Sequence, residues 1–119
     1  MNVIQEKSFA FAVRVVETIK AVRAKEKEYD LTGQLIRSGT SIGANVSEAQ
    51  KAQTPKEFAS KMSIAAKEAS EALYWIRLMV TTEYLSGCEG RELTVMAEEL
   101  VRILTSIVKT SQTSKNGRT

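Results

Sequence analysis

The chain of 119 residues has no histidine, one cysteine and one proline, and each shortage excludes a class of protein. Without histidine, neither a Ser-His-Asp or Cys-His nucleophile nor a His-containing zinc site can be built. Helical ribonucleases that use an Arg-x-x-x-x-His motif are excluded for the same reason. Cys88 is the only cysteine, so no disulfide can form within the chain, which is typical of a reduced compartment.

Long apolar runs are missing as well. The first residues lack the basic start and apolar stretch of a signal peptide, and no apolar run approaches the roughly 20 residues that would span a bilayer. We therefore expect a cytoplasmic protein. The formal net charge of +3 and the pI near 9.1 are mildly basic, which permits a nucleic-acid partner without arguing strongly for one.

One proline and six glycines leave little material for turns, so the chain should consist of a few long elements. Asp30 is predicted to be an N-cap. A capping box is predicted at Thr54–Glu57, with proline at the first helical position. Gly87 and Gly90 are predicted to end one helix and begin the next. These marks predict four helices over residues 4–28, 31–50, 55–85 and 90–111, followed by a flexible basic tail over 112–119.

Each predicted helix carries an apolar stripe at helical spacing. In the third helix the spacing is a regular 4-3-4-3, from Phe58 through Met62 to Met79. Short connections between long amphipathic helices imply antiparallel neighbours. The sequence therefore predicts an all-α fold, an antiparallel up-down-up-down four-helix bundle.

The first and third helices have more apolar surface than one bundle needs. On the first helix, Phe9 and Val13 belong to one apolar arc, and a second arc lies beside it. Second apolar faces are typical of contact sites, so we expect a homo-oligomer. The residues predicted to form the contact between copies are Phe11, Val15, Val22, Ile64, Trp75 and Leu78.

The stretch Ile36–Glu48, IRSGTSIGANVSE, has the composition of a loop but continues a helical apolar pattern. In a helix, Gly39 and Gly43 lie one turn apart on one face. Each glycine costs roughly 1 kcal/mol relative to alanine in a helix interior. We expect close approach of a neighbouring backbone to offset that cost.

A polar line follows the same helix, because Arg37, Ser41, Asn45 and Glu48 are spaced by four, four and three residues. Three interpretations stay open: a hydrogen-bonded seam between helices or subunits, the lining of a functional pocket, or a face turned to solvent. On the third helix, Lys67–Glu71 forms an i,i+4 pair that borders the alanine-rich core.

The segment Gln34–Met79 closely resembles the bacterial four-helix-bundle proteins encoded by intervening sequences inside 23S ribosomal RNA genes. The Arg-Ser-Gly-Thr-Ser-Ile-Gly-Ala-Asn core at Arg37–Asn45 and the MSIAAKEASEALYWIRLM run at Met62–Met79 carry the likeness. The resemblance implies a small cytoplasmic bundle that assembles as a barrel-shaped homopentamer around a channel. It offers no catalytic residue, only an interaction role for signature positions: Arg37, Ser38, Gly39, Ser41, Gly43, Asn45, Glu48, Lys67 and Glu71.

The same fold is similar to that of the accessory proteins of diversity-generating retroelements, basic pentamers that bind nucleic acid and a reverse transcriptase. This chain is less basic than those proteins. From the resemblance we expect a non-enzymatic oligomeric protein that binds RNA or another nucleic acid, with no metal or cofactor. The alternative is a protein-interaction scaffold, in which the cations only solubilise helix ends and the tail. The predicted phosphate contacts are Lys20, Arg23, Lys25, Lys27, Lys109, Lys115 and Arg118.

Overall fold

The computed structural model describes residues 1–117, with side chains to residue 112, and over this range it has four α-helices and no strand. The helices are α1 (Val3–Glu26), α2 (Asp30–Ala49), α3 (Pro55–Thr81) and α4 (Gly87–Gly117). Helix α1 packs against α2 and α4, and α3 packs against the same two helices. The all-α prediction is confirmed, and the body measures 55 × 23 × 22 Å.

Side chains from all four helices meet in one core. The predicted stripe of α3 is confirmed, since its residues from Met62 to Met79 at this spacing are buried. Three of them are alanines, and such small side chains let the neighbouring helices come close. The largest fully buried side chains are those of Phe11, Val15, Ile19, Leu35, Ile42, Val46, Met62, Ile76, Met79, Leu93, Leu100 and Leu104.

Side-chain caps begin α1 and α3. At α1, Asn2 and Gln5 form a reciprocal capping box, with the Gln5 N–H donating to Asn2 Oδ1 at 2.9 Å. At α3, the Glu57 N–H donates to Thr54 Oγ1 at 3.0 Å, which confirms the predicted N-cap. The Glu57 carboxylate accepts a hydrogen bond at 3.2 Å from the N–H of Gln53, the residue before the cap. The second bond of the predicted capping box is therefore made to Gln53 and not to Thr54.

Helix α4 is longer than predicted at both ends. It begins at Gly87 because Ser86 and Glu89 cap it reciprocally: the Glu89 N–H donates to Ser86 Oγ at 3.1 Å, and the Ser86 N–H donates to Glu89 Oε1 at 3.0 Å. It ends at Gly117, and residues 91–116 contain neither proline nor glycine to stop it earlier. Residues 112–117 of the predicted flexible tail are therefore helical, and residues 118 and 119 lie outside the described part.

Candidate functional site

The small-residue stretch Ile36–Glu48 is helical and lies within α2. Gly39 is buried, and a Cβ atom built on it would lie 3.0 Å and 3.2 Å from the two methyl carbons of Val15 on α1. These distances are tighter than most contacts of a Cβ atom in proteins, so a side chain at this position would force Val15 to shift by a few tenths of an ångström. Close approach therefore explains Gly39, as predicted, and the element that approaches is the Val15 side chain.

Gly43 has a different environment. A Cβ atom there would lie 3.5 Å from the backbone oxygen of Ser8, which is an ordinary contact. Gly43 instead borders a cavity of about 270 Å³ between α1 and α2, together with Phe9, Thr40 and Ser47. The backbone that comes near Gly43 is that of Ser8, as the prediction of a nearby backbone requires, but the contact is looser than at Gly39.

The hydroxyl and amide groups of α2 are used within the helix itself. Ser38 Oγ donates to the carbonyl of Gln34 at 3.0 Å, Ser41 Oγ donates to that of Ser38 at 3.1 Å, and Asn45 Nδ2 donates to that of Ser41 at 2.8 Å. Such bonds to the preceding turn satisfy the polar groups locally. Ser41 and Asn45 therefore do not build the predicted hydrogen-bonded seam between helices.

The charged ends of the predicted polar line do connect two helices. The Arg37 guanidinium on α2 bonds to the carboxylates of Glu68, at 3.3 Å, and of Glu71 on α3, and Glu71 also accepts from the indole N–H of Trp75 at 3.2 Å. Near the C-terminal end of α2, the Glu48 carboxylate pairs with the Lys61 ammonium group of α3 at 2.7 Å. We call Arg37, Glu48, Lys61, Glu68 and Glu71 the α2–α3 ladder.

The α2–α3 ladder shows where the charged residues of the polar line lie and which residue pairs with Glu71. The Arg37 side chain is 52% exposed and that of Glu68 only 14%, so these pairs lie at the edge of the contact between α2 and α3 rather than wholly in solvent. Among the described contacts, the partner of Glu71 is Arg37, and the predicted Lys67–Glu71 pair does not form. Lys61 and Glu68 were missed, because the spacing within one helix does not reveal which residues face each other across two.

The predicted contact residues of α1 lie in the core of the single chain. Phe11 and Val15 are 0% exposed and Val22 is 5% exposed, whereas Phe9 is 65% and Val13 41% exposed. The prediction that Phe11, Val15 and Val22 form an outer face is therefore wrong. Both arcs of α1 are apolar, so periodicity could not show which arc faces the core. In the observed rotation of α1 about its axis, Val15 packs against the bare backbone at Gly39.

An apolar surface does remain on the outside of α1. We call Phe9, Ala12, Val13 and Val16 the α1 outer stripe; they border one shallow cavity of about 300 Å³. On α3, Ile64 is 39% exposed as predicted, while Trp75 and Leu78 are partly buried. Tyr74, which the sequence reasoning did not single out as a contact residue, is 60% exposed and packs edge-on against Trp75 with ring centroids 5.1 Å apart.

In the predicted basic cluster at the end of α1, the lysines are exposed to solvent, whereas the arginine makes contacts within the protein. Lys20, Lys25 and Lys27 are exposed, and we call them the basic end. Arg23 instead donates from Nε to Thr32 Oγ1 at 2.9 Å and lies over the Tyr29 ring at 5.3 Å. Its guanidinium ties α1 to α2. The other predicted phosphate contacts lie elsewhere: Lys109 is exposed on α4, and Lys115 and Arg118 lie outside the described side chains.

Two acidic residues, Glu26 and Glu28, interrupt this cluster; Glu26 is exposed, and Glu28 caps a helix. The Glu28 carboxylate accepts hydrogen bonds from the N–H groups of Asp30, Leu31 and Thr32, all at 3.0 Å. Burial opposes its ionisation, but the three backbone donors outweigh that effect and lower the pKa of Glu28. Glu28 therefore caps α2, and the prediction of Asp30 as the N-cap is wrong because Asp30 is already the first helical residue.

Two kinds of functional element are not found in the described range. No group of three or more acidic or cysteine side chains there could hold a metal ion. Within residues 1–117, no helix combines the length and the apolarity that crossing a bilayer requires.

Comparison with known proteins adds two findings. The family model for the 23S rRNA-intervening sequence protein matches residues 1–106. The chain is also similar to a protein of unknown function from the S23 ribosomal protein family of Bacteroides thetaiotaomicron, known from its crystal structure, with 41% sequence identity and a TM-score of 0.88. The match covers 90% of this chain and 99% of that one. No curated protein gives a significant match.

Proposed function

This chain belongs to the 23S rRNA-intervening sequence protein family, and from that premise we propose that it is a non-enzymatic, oligomeric RNA-binding protein of the bacterial cytoplasm. The observation that carries the proposal is the combination of the basic end with the Glu28 cap. Because the Glu28 carboxylate bonds to three backbone N–H groups at the start of α2, it forms no ion pair with its lysine neighbours among the described contacts, although it keeps its charge. Lys20, Lys25 and Lys27 are then available to phosphates.

The absence of histidine supports the non-enzymatic part of the proposal. The carboxylates of the α2–α3 ladder that the resemblance singled out are already paired with cations, as Glu71 is with Arg37 and Glu48 is with Lys61. Both carboxylates are therefore engaged in contacts between α2 and α3, and the signature residues serve best as part of the surface where these two helices meet.

The four helices, in this proposal, run antiparallel in up-down-up-down order. Two ion pairs between α1 and α4 support that direction: Lys7 bonds to Glu99 at 2.9 Å, and Arg14 bonds to Glu92 at 3.0 Å. The residue number rises along α1 while it falls along α4. The α2–α3 ladder has the same order, since Arg37 meets Glu71 and Glu48 meets Lys61.

The α1 outer stripe is the surface that we assign to contacts between copies. Phe9 and Val13 together present an apolar face beside the cavity at Gly43, and such a face is costly to leave in water. The resemblance favours a ring of five copies. A ring would also bring several basic ends onto one particle, so the +3 charge of each chain would act collectively.

The oligomer proposal predicts a light-scattering mass several times the 13.1 kDa of one chain. The double variant Phe9→Ser/Val13→Ser should shift the mass to that of a single chain with its helix content unchanged, because both residues are outside the core. Val95→Ser is the matched control, since Val95 on α4 is 59% exposed and lies outside the stripe. A monomeric parent protein, or dissociation by Val95→Ser alone, would refute the assignment.

The RNA proposal predicts retention of single-stranded RNA at low salt that weakens as salt rises. Each phosphate contact should add about 0.7 to the slope of log affinity against log salt concentration. The triple variant Lys20→Gln/Lys25→Gln/Lys27→Gln should lower both the affinity and the slope in a filter-binding titration. If the parent protein retains neither RNA nor single-stranded DNA at low salt, the nucleic-acid role fails and an interaction scaffold becomes the better explanation.

A further inference from the structure

A second basic feature lies in the cavity between α3 and α4, which measures about 540 Å³. Arg77 of α3 and Arg91 of α4 both line it, together with Gly87, Gly90 and Glu98. The sequence offers no sign of this pairing, because the two arginines are separated by the end of one helix and the start of the next. We call this cavity the arginine groove.

The arginines of the groove differ from Arg14 and Arg37 in having no protein partner among the described contacts. Arg14 is bonded to Glu92, and Arg37 to Glu68 and Glu71. Within the described residues, the guanidinium groups of Arg77 and Arg91 make no hydrogen bond or ion pair, although both are exposed. A guanidinium offers five N–H donors in a planar fork that matches the oxygens of a phosphate.

The α4 side of the groove is kept open by glycine. A Cβ atom on Gly87 would meet nothing within 4 Å, so this position leaves free space beside the arginines. Gly90 is buried, and a Cβ atom there would lie 2.2 Å from Val80 Cγ2, so this glycine lets the Val80 side chain of α3 pack directly on the backbone of α4. The two first-turn positions of α4 that line the groove therefore carry no side chain.

Charge and position indicate what kind of ligand fits. Two cations and one carboxylate, Glu98, line the groove, so phosphates are favoured at the arginine end and disfavoured beside Glu98. Lys20 instead borders the cavity of the α1 outer stripe, so the basic end and the groove are separate basic surfaces.

We propose that the arginine groove binds neighbouring phosphates of a single RNA strand, with Arg77 and Arg91 each contacting a phosphate. This inference rests on the proposed RNA-binding function and names a second part of its surface. The groove contacts the backbone only, so binding is tolerant of sequence and sensitive to salt. The basic end and the groove are then two separate parts of one RNA-binding surface.

The test compares two charge-matched double variants in titrations with a single-stranded RNA oligonucleotide. Arg77→Gln/Arg91→Gln should weaken binding about tenfold or more and lower the salt slope by about 1.4, the value for two phosphate contacts on a single strand. Lys51→Gln/Lys56→Gln removes the same charge from exposed positions outside the groove and should change binding by less than about threefold. Arg77→Lys/Arg91→Lys should be intermediate, because lysine keeps the charge and loses the bidentate geometry.

Each other outcome has a distinct meaning. If the parent protein binds RNA and both glutamine variants weaken it equally, collective charge explains binding and the groove proposal is overturned, while the proposed function stands. If the parent protein does not bind RNA at all, the proposed function and the groove proposal fail together. A mononucleotide that displaces the RNA at equal phosphate concentration would show a site for small phosphorylated molecules and would also overturn the proposal.

Discussion

Replacing Phe11 by alanine should lower the free energy of unfolding by about 3–5 kcal/mol, the largest loss we expect from any single truncation in the chain. Phe11 is 0% exposed and belongs to the central core. Removing its ring discards buried apolar area and leaves a cavity that close-packed neighbours fill only in part. The loss is measured by denaturant unfolding followed by circular dichroism, at several protein concentrations.

Phe9, two residues away, is the matched control. Its side chain is 65% exposed, so Phe9→Ala should leave the stability of a single chain within about 0.5 kcal/mol of the parent. If the α1 outer stripe joins copies, the variant loses stability only at concentrations where the parent protein associates, by mass action. Equal, concentration-independent losses for Phe9→Ala and Phe11→Ala would show that α1 is rotated differently from the structure.

The second large effect is expected at Gly39. Gly39→Leu should cost about 3 kcal/mol or more, at or beyond the upper end of overpacking effects. Even a Cβ atom would lie 3.0 Å from one Val15 methyl carbon, and leucine adds three more carbons in a buried place. Because Val15 is itself fully buried, its side chain has little space into which it can move aside. Thermal unfolding of the variant should begin far below that of the parent protein.

Two companion variants separate crowding from helix propensity. Gly43→Ala should stabilise the chain by about 0.5–1 kcal/mol, because alanine favours the helix and its Cβ would meet Ser8 at an ordinary 3.5 Å. Val15→Ala should recover part of the loss in Gly39→Leu by vacating the volume that leucine needs. A Gly39→Leu protein as stable as its parent, or as tolerant as Gly43→Leu, would contradict close approach as the reason for this glycine.

Much of the candidate surface depends on pairs of residues from different helices. The sequence placed Arg37, Glu48 and Glu71 on helix faces correctly, since their spacing is local. It did not supply Lys61 as the partner of Glu48, or Glu68 as a partner of Arg37. The arginine groove was missed entirely, because it exists only where the end of α3 packs beside the start of α4.

The sequence by itself determined the four helices, the Thr54 cap and the buried stripe of α3, because capping and a 3.6-residue period act within one segment. Tertiary structure alone decided which arc of α1 is buried. Two neighbouring arcs are apolar, and burying either would remove similar area from water, so the hydrophobic effect hardly distinguishes them. Packing does distinguish them, since Val15 fits against the bare backbone of Gly39 in one rotation of the helix.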